Sequence, residues 1–299
     1  MADFGEMRLR MKDGQGFVAA LDQSGGSTPK ALKLYGVEPD DYDGEAAMFA
    51  EIQAMRARII EAPEFTSDKV IGAILFDRTL TELIDGLQVP EYLWSRLGVV
   101  PFLKIDKGLE DEADGVQVMK PIPGLAETLA NAKPLGVFGT KERSVIHSAN
   151  ADGIERIVDN QFDVAGTVLA AGMVPIIEPE VNIHSETKSQ AEDMLLDALK
   201  ARLDGLSTDA EVMLKLTLPD TAGLYDELAD HPRVLRVVAL SGGYSTDDAS
   251  AKLAQNDKMI ASFSRALTEG LQRSMTSDEF NVALAANIDK IYQASLQRA

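Results

Sequence analysis

The sequence predicts an α/β fold, a single (β/α)8 barrel, on three observations. Eight short apolar runs recur along the 299 residues. Longer segments of helical period separate them. The turn after the first run, LDQSGGSTPKAL, lacks the G-x-G-x-x-G spacing of a doubly wound nucleotide-binding sheet. Strands that alternate with helices form a parallel sheet covered by those helices. Eight such units at this length match the closed TIM barrel.

The runs are GFVAAL (16–21), IGAILF (71–76), VVPFLKI (99–105), LGVFGT (135–140), MVPIIE (173–178), VMLKLTL (212–218), LRVVAL (235–240) and MIASF (259–263). Helical patterns cover 45–62, 154–172, 189–205 and 278–296, with Gly172 and Gly205 as stops for the middle two. No Pro/Ser-rich linker, low-complexity tract or short repeat interrupts the series. Residues 1–299 therefore read as one domain.

Composition excludes several classes. Twenty-nine Lys and Arg stand against 48 Asp and Glu, a net charge of -19. No Lys/Arg-dense run opposes that field, so nucleic acid is not an expected partner. There are no cysteines, which removes disulfides, thiolate metal sites and thiol nucleophiles. His147, His184 and His231 show no metal-binding spacing, and no metal or cofactor is expected. The N-terminal residues lack the apolar core of a signal peptide, and no apolar run reaches the roughly 20 residues that span a bilayer. The expected location is the cytoplasm, without membrane contact. A homo-oligomer is compatible with the sequence and not specified by it.

The polar residues carry the chemistry. In the sixth run Val212, Leu214 and Leu216 share one face, and Met213, Lys215 and Thr217 share the other. Lys215 is thereby expected inside the barrel, near the strand ends where sites of this architecture are built. Other runs also end in charge. Asp22 follows the first. Lys104 and Asp106 are in phase with Phe102. Lys141 and Arg143 follow the fourth, in phase with Val137 and Gly139, and Glu178 is in phase with Val174 and Ile176. Charges at strand ends often belong to solvated loops, but Lys215 and Glu178 lie within apolar runs. Burial penalises a charged amine and lowers its pKa. A neutral lysine attacks a ketone and forms an iminium, an electron sink for breaking an adjacent carbon–carbon bond. Asp22 and Glu178 are the candidate proton carriers.

Two anion grips are expected. Ser241, Gly242 and Gly243 follow the seventh run and Arg265 the eighth, where this fold commonly holds phosphate. A plain glycine turn beside a surface arginine is the competing reading. The second candidate is QSGGS (23–27), with Ser24 and Ser27 facing Lys104 on a neighbouring strand. Grips on opposite sides of Lys215 suit a substrate with a phosphate at each end.

Eight segments together carry a family resemblance: ALDQSGGS, ILFDRTL, VPFLKIDKG, FGTKERSVI, VPIIEPEV, VMLKLTLP, LSGGYS and FSRALTEGL. In this order they resemble the class I fructose-bisphosphate aldolases, in particular the shorter bacterial kind. The resemblance implies that Lys215 is the Schiff-base lysine and Glu178 the acid–base group of carbinolamine dehydration. It implies that Asp22 acts at the C4 hydroxyl, that Glu180 is a supporting carboxylate, and that Lys141 polarises substrate oxygens and lowers the nucleophile's pKa. It assigns Lys104, Arg143, Ser24 and Ser27 to the 6-phosphate, and Ser241, Gly242 and Arg265 to the 1-phosphate.

Three departures stand out. Gln23 replaces a frequent glutamate, and Glu142 replaces a frequent tryptophan, adding negative charge beside Lys141 and Arg143. The longer animal and plant members use a tyrosine in a C-terminal tail. Tyr292 falls inside a helical pattern and does not match it, so the group that protonates the enamine is unassigned. The expected activity is reversible cleavage of fructose 1,6-bisphosphate. The alternatives are another phosphorylated ketose such as tagatose 1,6-bisphosphate, a transaldolase-like enzyme with a monophosphate substrate, and a non-catalytic sugar-phosphate-binding barrel.

Overall fold

The computed structural model describes residues 3–24 and 26–296. Among them, eight parallel strands follow one another around a barrel: β1 Phe17–Leu21, β2 Val70–Leu75, β3 Val100–Lys104, β4 Gly139–Ile146, β5 Val174–Val181, β6 Val212–Thr217, β7 Val234–Leu240 and β8 Met259–Ala261. Each pairs with the next in chain order from β1 to β8. β8 and β1 lie side by side. Among the described residues no backbone ladder joins them, so the barrel is nearly closed, with a seam there.

Alternation sorts the strand residues into two cores. Val18, Ile74, Phe102, Ile176, Met213, Val238 and Ile260 fill the inside. Ala19, Leu103, Ile177, Leu214, Leu216 and Val237 face outward. There they meet the apolar stripes of α3 (Gly44–Ile60), α5 (Ala151–Ala170), α6 (Lys188–Asp204) and α8 (Ser277–Ser295). Two earlier helices, α1 (Phe4–Asp13) and α2 (Thr28–Leu34), and two short ones, α4 (Leu125–Ala132) and α7 (Thr246–Leu253), accompany these. Gly172 takes φ +67 just past α5, a left-handed stop that favours glycine. Gly205 ends α6 at φ -79, where no such freedom is needed. Among the described residues, no helix is long and apolar enough to cross a membrane.

Helix α1, which the sequence pattern did not predict, plugs the lower end of the barrel. Met7 and Met11 enter the inner core and are fully buried. Burying two methionines contributes on the order of 3–6 kcal/mol. The Asp3 carboxylate caps Gly5 and Glu6, worth about 1 kcal/mol, so packing dominates. Buried Arg236 ties the helix end by donating from Nε to Met11 O at 2.9 Å and from Nη2 to Gly14 O at 2.5 Å. With this end shut, the polar residues open only at the other.

The fourth strand differs from expectation. It spans Gly139–Ile146, not 135–140. Polar residues 141–144 disguise it, yet its ladder to β5 runs unbroken from Gly139↔Val174 to Ile146↔Val181. Lys141 and Arg143 thus stand on the strand. Val137 belongs to the outer core and Phe138 to the inner one, so the phase does not extend back across Gly139. β5 likewise runs on through Glu178 and Glu180 to Val181.

Candidate active site

Four charged side chains meet inside the barrel mouth. Lys215, midway along β6 and opposite Val238 of β7, is 4% exposed. Its Nζ lies 3.1 Å from Oε1 of Glu178 on β5. The other oxygen, Oε2, lies 3.0 Å from Nζ of Lys141 on β4, a close ion pair without directed hydrogen-bond geometry. Lys141 Nζ also lies 2.6 Å from Oδ2 of Asp22, directly after β1. The order is Lys215, Glu178, Lys141, Asp22. Two lysine amines share one carboxylate, and a second carboxylate terminates the row.

The strand ladder holds this geometry. Lys141 pairs in register with Lys104 on one side and Ile176 on the other. Glu178 receives a further constraint from α5, where the buried Gln161 Oε1 accepts from the Glu178 N–H at 2.8 Å.

Burial is the largest influence on both carboxylates and alone would push their pKa values up. For Asp22 the combined charge of Lys141, Lys215 and Lys104 outweighs it and holds the carboxyl well below its ordinary range. For Glu178, Lys141 and Lys215 also prevail, and its pKa is lowered. Burial by itself would lower Lys141, yet Asp22, Glu178 and Asp106 raise it far above the ordinary lysine value. Lys141 is therefore a fixed cation, and Asp22 and Glu178 are ionised at rest.

The outer residues divide into two groups. Arg143, on β4, places Nη1 2.9 Å from Oε2 of Glu180. Burial raises the Glu180 pKa despite the arginine's opposing pull. Lys104 lies 2.6 Å from Oδ1 of Asp106. Ser24 and Ser27 do not face Lys104 from an adjacent strand, because β2 separates β1 from β3. Instead they close on each other: the Ser24 N–H donates to Ser27 Oγ at 3.1 Å, and that hydroxyl donates to Ser24 O at 3.3 Å. Gly25, in the same loop, lies outside the described residues.

The second group follows β7 and β8. Gly242 takes φ +59 and Gly243 φ +130, conformations that open the backbone to an approaching anion. A Cβ on Gly242 would lie 2.8 Å from Ile183, and one on Gly243 would lie 3.6 Å from Arg265 Nη2. Arg265 thus stands directly over the Ser241–Gly243 turn, at the start of the short helix Arg265–Thr268. Among the described residues, no carboxylate lies within ion-pair distance of it.

Glu142 overturns one expectation. It adds no negative charge beside Lys141 and Arg143, because alternation turns it to the opposite face of β4. There it is fully buried, and neither carboxylate oxygen has a partner among the described residues. Burial, with Asp106 nearby, pushes its pKa well above the ordinary glutamate value and keeps it neutral.

Sequence reasoning also missed Arg56. It occupies the apolar stripe of α3 with Ile52, Ile59 and Ile60 and is 1% exposed. A charged residue in phase with an apolar helical face was the available signal.

Comparison with known proteins identifies the family. Residues 7–219 match the family described as fructose-bisphosphate aldolase class-I. A Synechocystis protein named fructose-bisphosphate aldolase class 1 is 54% identical over 291 residues, covering 97% of each chain. A Porphyromonas gingivalis protein of the same name is 51% identical over 292 residues, covering 98% of this chain and 99% of that one. The solved fructose-bisphosphate aldolase of Plasmodium falciparum shares the fold, with TM-score 0.73 at 19% identity, covering 99% of this chain and 95% of that one. With the family match across most of its length and relatives above half identity, the chain belongs to the class I fructose-bisphosphate aldolases.

Proposed function

We propose that this chain reversibly cleaves fructose 1,6-bisphosphate to glycerone phosphate and glyceraldehyde 3-phosphate through an iminium on Lys215. The observation that carries the reading is the shared carboxylate: Glu178 touches both Lys215 and Lys141.

One proton transfer prepares the site. Glu178 begins ionised, so it takes a proton from the Lys215 ammonium across 3.1 Å. That step makes the amine nucleophilic and the carboxyl an acid together. The amine adds to the C2 ketone and gives a carbinolamine. Glu178 returns its proton to the departing hydroxyl, water leaves, and the iminium forms. Asp22 then accepts the C4 hydroxyl proton, the C3–C4 bond breaks, and its electron pair enters the enamine. Glyceraldehyde 3-phosphate departs. Protonation of the enamine at C3 and hydrolysis of the iminium release glycerone phosphate and restore Lys215. Lys141, held cationic, stabilises oxyanions as they form. The scheme calls on no cofactor.

The phosphates go to the two grips. We assign the 1-phosphate to Ser241, Gly242, Gly243 and Arg265, and the 6-phosphate to Lys104, Arg143, Ser24 and Ser27, with Glu180 paired to Arg143 until phosphate arrives. We place the enzyme in the cytoplasm, on the glycolytic chemistry of its family.

Borohydride reduction in the presence of glycerone phosphate tests the reading. A stable adduct on the peptide containing Lys215, absent in Lys215→Ala, is the expected result. Bound ligand with no adduct anywhere would leave a binding barrel without this chemistry.

A further inference from the structure

The seam between β8 and β1 runs beside the site, and side chains bridge it where the backbone does not. Gln23, 8% exposed, donates from Nε2 to Ser264 Oγ at 3.0 Å, and at 3.5 Å to Ala20 O near the end of β1. Gln23 directly follows Asp22, and Ser264 directly precedes Arg265. One hydrogen bond therefore connects the loop carrying a proposed proton carrier to the loop carrying the proposed phosphate cation.

The bridge is anchored from behind. Arg56 of α3 donates from Nη2 to Gln23 O and from Nη1 to Thr79 Oγ1 at 3.1 Å. Thr79 in turn donates to Gln53 Oε1 at 2.9 Å. A cleft of about 350 Å3 lies outside Arg56, lined also by Phe49, Gln53, Arg78 and Glu82. Arg56 directs one terminal donor to the Gln23 carbonyl beside the seam and the other to Thr79 in the turn after β2, and it also lines that cleft. Burial lowers its pKa to about 10, which leaves it charged at neutral pH. A charged donor on a carbonyl makes a stronger tie than a neutral one.

We propose that Arg56, Gln23 and Ser264 form a positioning strut across the β8–β1 seam that fixes Arg265 relative to Asp22 and so sets affinity for the substrate's phosphate. The inference rests on the aldolase reading above. None of the three needs to touch substrate. Gln23 suits this place because its amide donates to the hydroxyl without adding charge beside Asp22.

The test is steady-state kinetics with fructose 1,6-bisphosphate on Gln23→Ala, Ser264→Ala, the double variant and Arg56→Lys. Thermal melting establishes folding, and borohydride trapping with saturating glycerone phosphate reports on Lys215. Loss of one bridge is expected to raise KM about tenfold, with kcat within about twofold and the trapped adduct undiminished. The double variant should be no worse than either single one, because both remove the same bond. Should Gln23→Ala fail to fold, Ser264→Ala carries the test, since it removes only an oxygen. Arg56→Lys keeps the charge but loses the two-pronged donation, and its KM should rise too. Folded variants with unchanged KM, or additive losses, would overturn the strut while leaving the aldolase reading intact. No adduct on the unmutated chain would overturn both.

Discussion

The two proposed phosphate grips are electrostatic opposites. On the side of β3 and β4, each cation already has a partner: Lys104 holds Asp106, and Arg143 holds Glu180. On the side of β7 and β8, Arg265 stands over an open glycine turn with no carboxylate in ion-pair reach among the described residues. A phosphate arriving at the first grip competes with groups that belong to the protein. At the second it meets an uncompensated charge. Counting cations would rank the first grip as stronger; counting free cations ranks the second.

This contrast can be broken most directly by truncation. Arg265→Ala should raise KM for fructose 1,6-bisphosphate by about a hundredfold, the scale of a lost charge-assisted bond. Arg143→Ala should cost roughly tenfold or less, because its gain on binding is offset by the loss of Glu180. Steady-state kinetics on both variants decides the matter, and equal effects would erase the asymmetry.

Behind the self-paired grip, Glu142 offers a stability test. The unfolded chain ionises this group above about pH 4.3, while the folded chain keeps it neutral to much higher pH. Its penalty on folding therefore grows as pH rises above that value. Glu142→Met should stabilise by about 1–3 kcal/mol near neutrality, by removing an unpartnered buried acid. The gain should shrink toward pH 4, as measured by denaturant melts across pH. Asp22 and Glu178 act with the opposite sign. Their lowered pKa values stabilise the fold above the ordinary carboxylate range, and that support is lost as pH falls through the depressed values.

Smaller effects sharpen the comparison further. Glu180→Gln frees Arg143, and should lower KM for the bisphosphate about two- to fivefold if competition is real. Raising ionic strength should weaken the Arg265 grip more than the other, because its charge is exposed and unpaired. The salt slope of KM in Arg265→Ala should accordingly be shallower than in the unmutated chain.

The sequence revealed the interior of the site better than its surroundings. Lys215 and Glu178 were legible because a charge at a core position of a period-two strand is too costly to keep unless it serves chemistry; Asp22, directly after β1, was legible only as one of several charges that end these runs. Lys141 was legible too, but beyond an apolar run that ends at residue 140: four polar residues hid a ladder that only the neighbouring β5 completes. Alternation could have placed Glu142 on the far face of β4 had that strand been extended. Pairing was the deeper obstacle. That Lys104 spends itself on Asp106 and Arg143 on Glu180 depends on side-chain directions at the mouth, which spacing does not encode. The plug of α1 and the link between Gln23 and Ser264 depend on contacts more than 200 residues apart in the chain.

One measurement goes to the centre of this chemistry: a crystal structure of the enzyme reduced with borohydride in the presence of glycerone phosphate. The expected result is a covalent bond from Lys215 Nζ to the former carbonyl carbon, with the phosphate on the Ser241–Gly243 turn under Arg265. A phosphate lodged against Lys104 and Arg143 instead, or a ligand bonded to any other lysine, would contradict it.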